Sequence, residues 1–135
     1  MMAKFVPDPG EKILKSGMIL TLQGGKIKYP ASSRFFITDR RFVWHDLGKW
    51  AFLQSQGALW MLLVKGTPVS FPYSGMRITH GKYALNKDLL EFKAPDGRSI
   101  LVSRREKTLG MFREALAQGG IGLVQESAEE WSIRA

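Results

Sequence analysis

The chain has 135 residues, the size of one ordinary domain, and 44% of them are hydrophobic, which excludes a disordered or fibrous chain. It contains no cysteine, which excludes a disulfide framework and a thiolate metal site and fits a reducing compartment. The net charge of +8 is divided unevenly: residues 1–118 hold 19 Lys and Arg against 9 Asp and Glu, whereas residues 119–135 hold one Arg against three Glu.

Pro7, Pro9 and Gly10 make the first ten residues an irregular lead-in, and no apolar stretch of the secretory kind follows Lys4, so no signal segment is expected. Residues 13–22 read as a long strand, with Gly17 as the mark of a bulge or bend. Gly24-Gly25 and Pro30 make residues 23–33 a loop. Residues 34–38 and 41–45 are short strands rich in Phe, Ile, Val and Trp, joined by the two-residue turn Asp39-Arg40.

Residues 47–66 form an apolar insertion. Within it residues 58–64, the longest unbroken apolar run, read as a buried strand. A bilayer-spanning helix needs about 20 apolar residues, so no membrane span is expected. Pro68 to Phe71 and Met76 to Thr79 are further short strands. Residues 89–93 and 98–103 flank Ala94-Pro95-Asp96-Gly97, a turn in which Pro presets φ and Gly takes φ > 0. In this hairpin Leu90 and Phe92 face inward with Ile100 and Val102.

One helix follows. Ser103 reads as its N-cap with Glu106 completing a capping box, Leu109, Phe112 and Leu116 form its apolar stripe, and Gly119-Gly120 end it. Burying the stripe contributes roughly 5–8 kcal/mol before conformational entropy is subtracted. Gly110 in mid-helix suggests a close approach to the sheet. Residues 119–135 read as a short acidic tail, either disordered or docked through Trp131. Strands in succession followed by one helix indicate an α+β, mostly β domain over residues 1–118, its core starting near residue 10.

Three stretches carry a family resemblance. They are Gly10-Glu11-Lys12-Ile13-Leu14, then Phe36-Ile37-Thr38-Asp39-Arg40-Arg41-Phe42-Val43, and then Val69-Ser70-Phe71-Pro72-Tyr73-Ser74-Gly75-Met76. With the hairpin and helix that follow, they resemble the GRAM and bacterial PH-like family over about residues 10–118. Gly75 stands where that family commonly has Asp, and residues 47–66 are longer and more apolar than its minimal loop. The resemblance implies a pleckstrin-homology-like barrel: a strongly bent antiparallel sheet of about seven strands capped by the C-terminal helix. Some members of the family bind phosphoinositides and many bind proteins, so function stays open.

No catalytic signature is present. There is no nucleophile elbow, phosphate-binding loop, zinc-helix motif or dinucleotide turn, and His45 and His80 share no ligand-like spacing with acidic residues. No catalytic residue, cofactor or metal is therefore expected. A basic body favours anionic partners, although scattered charge that serves solubility has the same sign. Lys26, Lys28 and Arg34 would lie in and after the first inter-strand loop, where several cations can converge on a phosphate; a merely solvated loop is the alternative. Arg40 and Arg41 either join such a site or pair with a carboxylate such as Asp39. Arg104, Arg105 and Lys107 open the helix, where its N–H groups would help them hold an anion unless Glu106 offsets them. Trp44 and Trp60 are assigned to the core, and Trp50 and Phe52 to a partner or membrane contact.

The resulting expectation is a non-catalytic cytoplasmic binding module with a protein partner or a second copy of itself. A peripheral binder of anionic head groups is the alternative, and a nucleic-acid binder the less favoured third.

Overall fold

The computed structural model describes residues 5–24, 27–46 and 67–134. Trp50, Phe52, Trp60 and the whole 47–66 insertion, together with Lys26, lie outside them.

The described residues form nine strands and one helix. In chain order these are β1 (Ile13–Gly24), β2 (Lys28–Thr38), β3 (Arg41–Asp46), β4 (Thr67–Pro72), β5 (Arg77–Tyr83), β6 (Asn86–Lys93), β7 (Ser99–Ser103), α1 (Arg105–Gln118), β8 (Gly122–Ser127) and β9 (Glu130–Arg134). They make one antiparallel sheet ordered β4-β3-β2-β1-β7-β6-β5-β9-β8. The mostly β, α+β class stands, but the seven-strand barrel does not: the sheet has nine strands and stays open, with β4 and β8 at its two ends.

The sheet is nevertheless sharply folded over. β3 and β6 are four strand positions apart, which would be about 19 Å in a flat sheet. Yet Phe42 of β3 stacks on Phe92 of β6 with ring centroids 4.8 Å apart. Phe112 of α1 completes the cluster edge-on, 5.6 Å from Phe42 and 5.3 Å from Phe92. All three rings are essentially fully buried. The two halves of the sheet therefore face each other across one core, and α1 closes it with Leu109, Phe112, Ala115 and Leu116.

Local chemistry explains most of the elements. The 94–97 turn forms as read, with Gly97 at φ 94° and Ala94 N–H donating to Arg98 C=O at 2.8 Å. Leu90 pairs with Val102 and Phe92 with Ile100, and all four are buried. The 39–40 turn lacks glycine and is held instead by Thr38, whose Oγ1 accepts the N–H groups of Arg40 and Arg41 at 3.0 Å each.

Residues 23–24 and 28–33 are strand rather than loop, Leu22 pairing with Pro30 and Gly24 with Lys28. β2 pairs with β3 only from Phe35 to Ile37, so Pro30 sits where one edge of β2 has no strand opposite among the described residues. A strand tolerates proline there. The irregularity in β1 falls between Ile13 and Lys15 rather than at Gly17. Gly17 is instead covered by the Phe35 ring, which would lie 3.3 Å from an added Cβ.

The helix ends as expected and begins differently. Gly120, at φ 74°, and Ile121 close it with N–H bonds to Ala117 and Leu116 C=O, a glycine-terminated C-cap with the buried Ile121 as its apolar contact. At the other end no Ser103–Glu106 capping box forms. The N-cap is Arg104, in the left-handed conformation (φ 60°, ψ 68°) and without a side-chain cap bond. The Arg105 N–H is met by Asp88 Oδ1 of β6 at 3.0 Å, and Thr108 Oγ1 donates to Ser103 C=O at 2.8 Å.

The segment after residue 118 is no loose tail. β9 pairs with β5 through Ile78↔Trp131, Trp131 is buried, and β8 pairs with β9. The sheet therefore extends past the expected boundary at residue 118.

Gly110 does not mediate a close approach, because an added Cβ would meet no atom within 4 Å. Gly110→Ala is accordingly expected to raise the unfolding free energy by about 1 kcal/mol, the helix-propensity difference. A urea titration should show a higher midpoint at unchanged slope.

Candidate functional site

β1 has two unlike edges. Against β2 it is paired along its length, from Ile13↔Thr38 to Gly24↔Lys28. Against β7 it is paired only at Thr21↔Val102 and Leu22↔Leu101. Residues 13–20 therefore present a strand edge with no strand opposite among the described residues. The fold in the sheet is the cause: β1 and β7 join its two halves, and they splay apart away from Thr21.

α1 lies along the opening. A Cβ added at Gly119, past its C-terminus, would come within 2.8 Å of Leu14, while Arg104 at its N-terminus borders the same space as Leu20. The 14-residue helix is about 21 Å long, close to the roughly 20 Å that residues 14–20 of a strand cover. Between them is a groove of about 550 Å³, within the usual range for ligand sites.

Residues 15–20 of β1 all border the groove. Successive strand side chains point to opposite faces, so six in a row border one cavity only through the strand's edge. Backbone N–H and C=O groups are thus part of the wall. Phe35 of β2 forms the floor, and Thr108 and Met111 of α1 the opposite side. Met18 is 62% exposed and Leu20 45%, large values for apolar side chains in a strand.

Three cations, Lys15, Arg104 and Lys107, border the groove, and no Asp or Glu does. None of the three forms an ion pair among the described residues. Arg104 is also one of two non-glycine residues with positive φ in the described chain. Such strain costs about 1–2 kcal/mol and concentrates at functional sites.

Of the cations singled out in the sequence, Arg104 and Lys107 meet at the groove, and those on and after the first strands are dispersed. Lys28 and Arg34 both lie on β2, six residues and so about 20 Å apart along the strand, too far to converge on one phosphate. Arg34 borders a small depression with Phe36. Arg40 is exposed, its guanidinium donating to Pro9 C=O at 3.5 Å.

Arg41 is held by a carboxylate, although not Asp39. Its Nε and one terminal nitrogen donate to Glu11 at 2.9 and 2.8 Å, and its other terminal nitrogen donates to Ser70 Oγ. Thr38 Oγ1 lies 2.6 Å from the same carboxylate, whose side chain is fully enclosed. The bidentate Arg41 bond holds the Glu11 carboxyl down at about pKa 2, against the opposing effect of burial. Asp39 serves the backbone instead, accepting the Lys12 N–H. Arg105 is likewise structural: its guanidinium donates to Leu89 C=O and Gly81 C=O, tying α1 to β6 and β5. Of the three helix-opening cations, Arg104 and Lys107 face the groove and Arg105 turns away from it. Lys15, Met18 and Leu20 drew no attention in the sequence, although residues 18–20 are apolar on both faces of a strand, a signal that one face or edge is left uncovered.

A second exposed feature lies at one end of the sheet. Ile27 is 83% exposed and Leu85 97% exposed. The Lys28 N–H donates to Tyr83 Oη at 3.0 Å, which brings these two turns together. Lys82 and Lys87 flank Leu85 and are exposed. Elsewhere, a depression beside β9 is internally neutralised by the Arg77–Glu130 and Arg134–Glu126 pairs. Among the described residues no His, Asp and Glu cluster has the makings of a metal site, and no helix is long and apolar enough to cross a membrane.

No family model and no curated protein matches this chain. Among solved structures it is similar to the C-terminal domain of an unknown protein from Leishmania infantum. The TM-score is 0.49 and the identity 15%, over 81% of this chain and 87% of that one.

The Glu11–Arg41 pair generates a pH prediction. A carboxyl with its pKa lowered from 4.5 to about 2 stabilises the fold fully above pH 4.5 and progressively less as pH falls toward 2. Glu11→Gln is expected to cost about 1.5–3 kcal/mol at pH 7, the worth of a hydrogen bond to a charged group, since it leaves Arg41 half-paired. The difference from the parent protein should shrink through that acid window in urea unfolding at stepped pH.

Proposed function

We propose that this chain is a non-catalytic binding module that engages a protein partner through the groove between the open edge of β1 and α1. The observation that carries the reading is the eight-residue strand edge, bordered by exposed Met18 and Leu20, with no strand opposite it among the described residues. Uncovered strand edges are sticky, and proteins that keep them use them or shield them. A groove with an apolar floor, a backbone wall and a polar rim has the make-up of a recognition site. Among the described residues seven strands precede the capping helix, an order that supports the resemblance to the GRAM and bacterial PH-like family, with β8 and β9 as an addition outside its pattern. In this reading the module works in the cytoplasm.

A second reading is favoured by Ile27 and Leu85. Two largely exposed apolar tips beside the exposed Lys82 and Lys87 suit shallow insertion into an anionic membrane surface, with each of these lysines adding about 1 kcal/mol. This is a different surface from the groove. The lipid arrangement that the sequence suggested, Lys28 with Arg34 on one phosphate, is not part of it.

Two double variants separate the readings. Met18→Asp with Leu20→Asp should leave stability within about 0.5 kcal/mol, as exposed substitutions do, while abolishing cross-linking of partner proteins to the parent chain in native extract. Ile27→Asp with Leu85→Asp should leave that cross-linking intact. If only the tip variant loses cross-links, or if the parent protein co-sediments with anionic vesicles in a salt-sensitive way and yields no protein cross-links, the membrane reading replaces the groove.

A further inference from the structure

We infer that the occupant of this groove is an extended acidic peptide segment that adds to β1 as a strand, its backbone on residues 13–20 and its carboxylates on Lys15, Arg104 and Lys107. The inference rests on the groove being the binding site and names what fills it.

Three observations carry it. The first is the shape of the wall. Six consecutive residues of β1 border the groove, so an occupant meets alternating backbone donors and acceptors along the strand's edge. An extended peptide satisfies these groups in register, whereas an acyl chain leaves them unpaired at a cost of about 1–3 kcal/mol each once water is excluded. A nucleic acid would need exposed rings for stacking, and the ring in this groove, Phe35, is 4% exposed and forms its floor.

The second is charge. Three cations and no carboxylate border the groove, and the cations have no ion-pair partners among the described residues. Elsewhere Arg41, Arg77, Arg98 and Arg134 each pair with a carboxylate, and Arg105 is held by strand carbonyls, whereas the groove gathers three cations with neither among the described residues. The groove cations come from both walls, Lys15 from β1 and Arg104 and Lys107 from α1. A strand lying between the walls with acidic side chains alternating toward the rim meets both at once.

The third is the length match. Residues 14–20 and α1 run alongside each other for about 20 Å, the reach of about six to seven residues of an added strand. The apolar positions of such a segment fall beside Met18 and Leu20, on the exposed face of β1, and the acidic positions on the other face, toward Lys15, Arg104 and Lys107. The segment is therefore an alternation of acidic and apolar residues rather than an acidic run.

The test uses the full chain and fluorescein-labelled ten-residue peptides of alternating Glu and Val, alternating Lys and Val, and alternating Ser and Val. The acidic peptide is expected to bind at least tenfold more tightly than the other two in fluorescence anisotropy, and to weaken as salt rises. Lys107→Glu should weaken it at least tenfold. Arg104→Gly should do the same while folding at least as stably, because glycine adopts that φ without strain. Placing N-methyl groups on alternate residues of the acidic peptide should abolish binding in one register and spare it in the other, the signature of one hydrogen-bonded edge.

Equal binding of all three peptides at β1 and α1 amides in NMR spectra would overturn the acidic assignment and leave the groove reading standing. Binding that survives N-methylation in both registers would overturn strand addition. If no peptide perturbs β1 or α1 amides, or if only anionic vesicles do, both the inference and the groove reading fall.

Discussion

The Phe42–Phe92–Phe112 cluster is the contact on which the rest of the molecule turns. Two of its rings belong to strands that lie four positions apart in the sheet, so their stacking requires the sheet to fold over. The third belongs to the helix, which is thereby fixed across the mouth of the fold. Rings of this size bring large apolar area and prefer the stacked and edge-on geometries seen here, worth about 0.5–1.5 kcal/mol per pair beyond burial. A sheet bent this far cannot keep every ladder intact. The break falls between β1 and β7, where only two residue pairs hold the halves together. The groove is thus a direct geometric consequence of closing the core.

The same bend sorts the basic residues. A net charge of +8 points toward an anionic partner but does not say which cations would meet it. Arg41 is absorbed by Glu11 and Ser70, Arg105 by two strand carbonyls, and Arg98 by Asp96, Ser70 C=O and the face of Phe71. These side chains join segments distant in sequence: Arg41 ties the lead-in to β3 and β4, and Arg105 ties the helix entry to β5 and β6. Lys15, Arg104 and Lys107 join nothing in this way. What distinguishes them is only visible once the strands and helix are placed.

That division explains how much the sequence disclosed. Signals whose physics is local were legible: the Pro95-Asp96-Gly97 turn, the inward set Leu90, Phe92, Ile100 and Val102, the stripe on α1 and its glycine stop. Signals with a non-local competitor misled. Ser103 and Glu106 spell a capping box, but Asp88 of β6 reaches the helix N-terminus first. Gly24-Gly25 and Pro30 spell a loop, but the β1–β2 ladder runs through Pro30 on an edge free to hold it. The acidic composition of residues 119–135 hid β8 and β9, because polar side chains on the exposed faces of two end strands look like a solvated tail. The candidate site was the least legible part, since a missing ladder is a property of two strands and a bend, written in no single stretch of residues.

The ends of the sheet show that the open edge of β1 is not carelessness about edges. β4, at one end, carries Pro68 and Pro72, which remove donors from its ladder. β8, at the other, carries Glu126, paired with Arg134 of its neighbour. Both are devices that discourage further strand addition. The inner edge of β1 carries no proline, and its charge is of one sign. On the proposed reading, Lys15 together with Arg104 and Lys107 would repel the same edge of a second copy and accept an oppositely charged strand, so that charge would separate self-association from recognition. The left-handed backbone of Arg104 fits this account, because a glycine there would relax the turn into the helix and remove one of the three charges on which the proposed selectivity rests.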